Sequence, residues 1–146
     1  MRISTKGRYG LRAMLDLALH SSGTQVPLLS IAQRQNISVN YLEQVFSLLR
    51  KAGLVNSVKG AAGGYILADN PSRIFVGDIL KNLEGDLMVV DEETDGGADS
   101  NALQQCIKRY VWDKFNGSVS EIANSITLAD LIENYRSQDD SPMFYI

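Results

Sequence analysis

The stretch SNALQQCIKRYVW, residues 100–112, contains Cys106, the only cysteine of the 146-residue chain. One thiol cannot form an internal disulfide, and a metal site needs several donors. Three interpretations of Cys106 stay open on the residues alone. It is the remaining member of a larger ligand set, a redox-sensing thiol with Lys108 and Arg109 beside it, or a small apolar filler on the buried face of a helix.

A second group of residues has the side chains that read base edges. It opens the segment SVNYLEQVFSLLRKAG, residues 38–53, which has helical apolar spacing. Asparagine and glutamine pair with adenine, and glutamate accepts a hydrogen bond from cytosine N4. A recognition helix offers such groups near its N-terminal end. The candidates here are Ser38, Asn40, Tyr41, Glu43 and Gln44.

Two further segments supply groups that suit the DNA backbone. The run KGAAGG, residues 59–64, joins two strand-forming stretches and carries a cation beside small residues, which permit a close approach to a groove. The first predicted helix begins with further polar and basic groups that could fix register on phosphates. The predicted DNA-facing set is therefore Thr5, Lys6, Arg8, Tyr9, Ser38, Asn40, Tyr41, Glu43, Gln44, Arg50, Lys59 and Gly60.

These groups need a scaffold, and the apolar spacing predicts one. A helix over residues 5–21 has its apolar groups on one side and Arg8, Arg12 and Asp16 on another face. A short helix with Ile31 and Ala32 facing inward precedes the segment that Ser38 caps. Two strands over residues 54–68 then form a hairpin. This order, helix-turn-helix and then hairpin, is that of a winged helix.

The C-terminal half contains a second long helical pattern. It runs from Ala102 to about Asn124 and has more apolar positions than one stripe against a small domain can bury, so we expect a dimer interface there. A last helix follows Thr127, its expected N-cap. The predicted fold class is mainly α with a small β-hairpin wing: a winged helix-turn-helix plus a long C-terminal dimerisation helix. The predicted divisions are residues 1–84, 85–101 (an acidic loop), 102–137 and 138–146 (a tail).

Charge is distributed unevenly along the chain. Residues 1–60 carry eight lysines and arginines against two acids, a net +6, whereas residues 61–146 carry six against fifteen, a net −9. A basic half attached to an acidic half indicates that one half meets a polyanion. The first residues have no continuous apolar stretch or small-residue cleavage site typical of a signal peptide, and the apolar runs are too short to span a bilayer. We therefore expect a cytoplasmic protein without membrane contact. We find no paired nucleophile and base, so we expect no enzyme.

Several motifs together resemble the Rrf-two superfamily of bacterial winged-helix regulators. They are MRISTKGRYGLRAM, SIAQRQNIS, YLEQVFSLLRKAGLVNSVKGAAGGY, VGDILKNLEG and SITLADLI, and the match runs from Met1 to about Ile132. Within the family the chain is most similar to iron–sulfur cluster regulators of the IscR type, with cysteine-metabolism regulators of the CymR type as near relatives. The resemblance implies an intertwined homodimer on palindromic DNA. It also implies that Glu43 tunes which operators are accepted.

The resemblance carries a cofactor expectation as well. IscR-type members bind a [2Fe–2S] cluster through three cysteines and a histidine, and Cys106, six residues before Trp112, matches the last cysteine. Ser100 and Glu92 stand where the other two cysteines are expected, and Arg109 stands where the histidine is expected. Serine is a poor substitute for a thiolate. We therefore expect the cluster to be absent or incomplete in this chain.

Two functions follow from the resemblance. The first is a regulator, expected to be a repressor, of iron–sulfur cluster biogenesis genes that senses cluster status through residues 92–106. The alternative is a cluster-free regulator of cysteine or sulfur metabolism that acts through a redox thiol or through a partner enzyme, with the tail over residues 138–146 as a docking peptide.

Overall fold

The computed structural model describes residues 2–91 and 101–140. Three helices open the chain: α1 (Thr5–His20), α2 (Leu28–Gln35) and α3 (Val39–Lys51). Strands β1 (Val55–Val58) and β2 (Gly64–Leu67) follow, then a 3-10 turn (Pro71–Arg73) and helix α4 (Val76–Glu84). The C-terminal half contains α5 (Ala102–Ile107), a π-helical turn (Lys108–Trp112), α6 (Asp113–Ala123) and α7 (Leu128–Asp140). The predicted fold class is confirmed.

One hydrophobic core holds the N-terminal helices together. Each of α1, α2 and α3 contributes fully buried side chains, as the apolar spacing predicts, and Ile31 and Ala32 face inward as expected. Helix α4 packs on α1 and α3, and α7 returns to pack on α1 through Leu128, which is 0% exposed. The core includes Met14, Leu17, Ile31, Leu42, Val45, Phe46, Leu49, Val55, Ile79 and Leu128. This packing fixes α3 relative to α1, so their exposed faces form one continuous surface.

The wing is an antiparallel hairpin with an additional contact to the preceding loop. Strands β1 and β2 pair from Val55 opposite Leu67 to Val58 opposite Gly64. Val26 forms a bridge with Tyr65, and each residue's amide nitrogen lies 2.9 Å from the other's carbonyl oxygen. A Cβ atom at Gly64 would collide with the Val26 carbonyl oxygen, so only glycine allows this close approach. The wing is therefore tied to the helical core on its inner side.

The predicted long helix over residues 102–124 is present, with one irregularity. Helices α5 and α6 are continuous through the π-helical turn, and Asn124 ends the run. Thr127 caps α7 as expected: its hydroxyl accepts from the Asp130 amide at 3.1 Å, and Asp130 accepts from the Thr127 amide at 3.0 Å. Helix α7 extends to Asp140, so the first three residues of the predicted tail, 138–140, are helical. This helix continues because no glycine or proline interrupts it before that point.

Within the described ranges, none of the helices combines the length and the apolar character that a membrane crossing requires.

The predicted acidic loop begins at Gly85, whose φ of +85° turns the chain out of α4. Asn116 of α6 then holds the segment: its amide oxygen accepts from the Val89 nitrogen at 2.6 Å, and its amide nitrogen donates to the Val90 carbonyl at 2.8 Å. The loop therefore starts against the long helix. Residues 92–100 of this predicted loop lie outside the described residues.

Candidate nucleic-acid interface

Helix α3 presents its polar residues outward because its apolar residues are buried in the core. Leu42, Val45, Phe46 and Leu49 are at most 1% exposed. Ser38 caps the helix as predicted, with its hydroxyl accepting from the Tyr41 amide at 3.3 Å. The predicted base-reading side chains are exposed, except that Tyr41 is half-buried: Ser38, Asn40, Tyr41, Glu43 and Gln44. The N-terminal half of α3 can therefore enter a groove without moving the core.

The turn between α2 and α3 sets the angle of the recognition helix. Asn36 ends α2 in the left-handed region at φ +55°, and its amide donates to the Ala32 carbonyl. Asparagine tolerates this conformation better than most residues. The chain then reaches Ser38 within two residues. This is the short connection that a helix-turn-helix requires.

The start of α1 lies beside α3. Lys6 lines an open groove of about 700 Å³ together with Asn40, Tyr41, Glu43 and Gln44. Thr5 and Arg8 are exposed, and Tyr9 is half-buried with its ring against that of Tyr41, centroids 6.2 Å apart. The structure thus brings the predicted α1 set and the predicted α3 set to one surface.

The wing tip and the end of α3 complete the predicted set. Lys59 and Gly60 are exposed, and Gly60 has a φ of +115°, which a residue with a side chain rarely adopts. The Gln25 side chain donates to the Ala62 carbonyl at 2.6 Å and holds the tip. Sequence reasoning missed Gln25, since it lies in a loop with no periodic signal. Arg50 is exposed in the last turn of α3, at the opposite end from the base-reading residues.

Asp16 follows Arg12 by one turn of α1 but, unlike Arg8 and Arg12, it is buried. It is 2% exposed and lies between α1 and α2. Its carboxylate accepts from Arg34 Nη2 at 2.7 Å and Nε at 3.0 Å, and from Gln35 Nε2 at 2.7 Å. The burial is compatible with a charge because these donors satisfy both oxygens. The Asp16 carboxylate therefore ties α2, the first helix of the helix-turn-helix, to α1.

The pKa of Asp16 reflects the same contacts. Burial raises it, but hydrogen bonds from Arg34 and Gln35, together with the charges of Arg34 and His20, outweigh burial and hold the pKa below the ordinary value of 3.8. The Asp16 carboxylate in turn raises the pKa of Arg34. The lowered pKa of Asp16 and the raised pKa of Arg34 both indicate that the two side chains are ionised when the protein is folded.

The predicted cluster position does not form a ligand set in this chain. Cys106 is exposed on α5 in the single chain, so it does not fill the core of its own protomer. Arg109 is exposed in the π-helical turn and has no free lone pair for a metal. Ser100 and Glu92 lie outside the described residues. An iron–sulfur cluster is held mainly by cysteine thiolates, and the whole chain has one cysteine and one histidine, so its residues do not fit a [2Fe–2S] cluster.

Comparison with known proteins agrees with this geometry. The family model Rrf2, described as "Iron-dependent Transcriptional regulator", matches residues 3–134. The chain is 42% identical over 146 residues to CymR of Bacillus subtilis (strain 168), covering 100% of both chains. It is also 42% identical over 146 residues to IscR of Photobacterium profundum, covering 97% of this chain and 81% of that protein.

Solved structures include proteins with the same two names. The structure of CymR (YrzC), "the Global Cysteine Regulator of B. subtilis", has a TM-score of 0.78 and covers 92% of this chain and 98% of its own. T. potens IscR has a TM-score of 0.75 at 44% identity and covers 99% of this chain and 95% of its own. Similarity to CymR and to IscR is thus nearly equal. The chain belongs to the Rrf2 family of transcriptional regulators, which bind DNA and are not enzymes.

Proposed function

We propose that the protein is a homodimeric regulator that reads palindromic DNA, with α3 in the major groove, the wing at the adjacent backbone or minor groove, and the start of α1 on phosphates. The observation that carries this proposal is the surface shared by α1 and α3. It places Lys6 beside the polar start of α3, over a core that holds both helices in place. Base-reading and phosphate-binding groups are therefore presented together.

The long helix supports the dimer. Along it, large apolar side chains are between 46% and 77% exposed, a pattern that is unfavourable for a surface in water. They are Leu103, Ile107, Tyr110, Phe115 and Ile122. A second copy of the chain would cover this stripe and place two recognition helices on the two halves of a palindrome.

We expect Gln44→Ala and Lys59→Ala to weaken DNA binding in different ways. Loss of a base-reading amide should relax the preference at one base position, at a cost of about 1–3 kcal/mol. Loss of the wing cation should weaken binding to all sequences and reduce the slope of log K against log salt by about 1. Mobility-shift titrations at several salt concentrations, on a duplex enriched from a random pool by the wild-type protein, measure both effects.

Gln138→Ala and Arg136→Ala are the matched controls, because both side chains are exposed on α7, which supplies none of the proposed DNA-facing residues. Unchanged affinity and unchanged salt slope in both Gln44→Ala and Lys59→Ala would remove α3 and the wing from the DNA contact.

Within the family, we propose the cluster-free role, in regulation of cysteine or sulfur metabolism. The donor set supports it, since Cys106 is the only thiol and Arg109 stands where the resemblance places the histidine ligand. The match to B. subtilis CymR over the full length of both chains is consistent with it. The iron–sulfur role remains the second candidate because of the equal identity to IscR of P. profundum. The two roles differ in whether a cluster binds.

Anaerobic reconstitution with iron and sulfide is expected to leave the protein colourless. A single thiolate cannot replace the ligand set that a [2Fe–2S] cluster needs. Visible absorption together with iron and sulfide analysis of the desalted protein checks this, and Cys106→Ala should give the same result as the wild type. Stoichiometric iron and sulfide with charge-transfer bands, lost in Cys106→Ala, would establish the cluster-sensing role instead.

A further inference from the structure

Arg12 on α1 is held in one orientation by two contacts. Its guanidinium carbon lies 4.8 Å from the centroid of the Tyr9 ring, and its Nη2 lies 3.4 Å from the Gln35 carbonyl oxygen at the end of α2. The side chain is nevertheless exposed. A guanidinium has five N–H donors, so most of them remain available to another molecule.

Both contacts rest on rigid neighbours. The Tyr9 ring packs edge-to-face on Tyr41 of α3, at an interplanar angle of 73°. Gln35 is anchored by its own side chain, which donates to the buried Asp16 carboxylate at 2.7 Å. Arg12 is thus positioned relative to both helices of the helix-turn-helix. An oriented guanidinium loses less side-chain entropy on binding than a freely rotating one.

Arg12 forms no ion pair with the side chains that the structure describes. Over residues 2–91 and 101–138, no carboxylate lies within ion-pair distance of the Arg12 guanidinium, whereas Arg34, Arg73 and Lys108 all pair with aspartates. Arg8 lies one turn earlier on the same helix and is also exposed and without a carboxylate partner in these ranges. Like charges four residues apart destabilise a helix. An arrangement that is unfavourable in the free protein is compensated when a polyanion binds there.

We propose that Arg12 binds a DNA phosphate beside the half-site that α3 reads. This inference rests on the proposed DNA-binding function and adds a residue to its surface. The fork of the guanidinium would donate to the phosphate oxygens of the backbone strand that crosses between α1 and the α2–α3 turn. The contact positions α3 and reads no base. It therefore contributes to affinity for every sequence and leaves the preference among sequences unchanged.

The test compares Arg12→Gln with Arg136→Gln, an exposed arginine on α7 that controls for the loss of one net charge. On the duplex enriched by the wild-type protein, Arg12→Gln should weaken binding about tenfold and reduce the slope of log K against log salt by about 1. On a duplex of scrambled sequence the loss should be the same factor. Arg136→Gln should change neither quantity. The conservative variant Arg12→Lys should keep the salt slope but bind more weakly than the wild type, because a point charge lacks the planar fork.

Three outcomes overturn the inference. The first is a wild-type salt slope in Arg12→Gln, and the second is a loss confined to the enriched sequence, which would make Arg12 a base reader. The third is a weakened dimer in analytical ultracentrifugation without a change in salt slope, which would assign Arg12 to a contact between copies. In each case Gln44→Ala and Lys59→Ala still weaken DNA binding if the proposed function is correct. Failure of the Arg12 inference can therefore be distinguished from failure of the proposed function.

Discussion

The double substitution Tyr110→Glu and Ile122→Glu is expected to convert the proposed dimer into a monomer. Both side chains are 61% exposed on the long helix. Each side chain contributes about 1.5–3 kcal/mol to the free energy of dimerisation when a partner buries it. A carboxylate left unpaired in the interface opposes dimerisation by roughly 3–5 kcal/mol. The dissociation constant of the dimer should therefore rise by at least about 10³-fold. Sedimentation equilibrium or size exclusion with light scattering measures the change.

DNA binding should fall with the dimer, by at least about a hundredfold, since one protomer alone reads one half-site. Glu121→Lys is the control, because it reverses a charge at an exposed polar position of the same helix and should leave the dimer intact. Circular dichroism should show that the double variant stays folded, since the two side chains project from the surface of their own protomer. A double variant that remains dimeric would show that this stripe is not the interface.

Replacing Asp16 by asparagine is expected to lower the free energy of unfolding by about 3 kcal/mol. Breaking a buried ion pair costs about 3–5 kcal/mol. The Arg34 side chain is 35% exposed and can be rehydrated, so the lower end of that range applies. An asparagine amide would also turn a donor towards Arg34 or Gln35, leaving one of them without an acceptor. Urea denaturation followed by circular dichroism measures the difference.

The loss of stability caused by Asp16→Asn should become smaller at acidic pH. Because the folded pKa of Asp16 lies below its ordinary value of 3.8, its stabilisation is fully present above about pH 5 and is lost as pH falls through the folded pKa. The gap in stability between wild type and Asp16→Asn should therefore be constant near neutrality and shrink in acid. Asp69→Asn, which removes the exposed pair with Arg73, should cost about 1 kcal/mol or less. An equal cost at both positions would show that the buried pair does not anchor α1 to α2.

Periodic apolar spacing was sufficient to predict α1, α2, α3, the long helix, α7 and the hairpin, and residue type predicted the caps at Ser38 and Thr127. These features depend on neighbours three or four residues apart in a helix, or two apart in a strand, so the local sequence contains the information. The exposure of Asn40, Glu43 and Gln44 follows in the same way, because they alternate with apolar residues that the core must bury. The lone cysteine likewise established from composition alone that the chain lacks the thiolates of a cluster site.

Other features depend on contacts between segments far apart in the chain, which only the tertiary structure decided. Asp16 resembles its charged neighbours in sequence, and its burial follows from donors on α2 that lie 18 and 19 residues away. The Arg12 orientation requires the ring of Tyr9 and the last carbonyl of α2 together. Cys106 fits a buried stripe by spacing, yet it is exposed because the long helix has more faces than one domain covers. Local periodicity determines which elements form, and packing decides which polar groups are brought into contact.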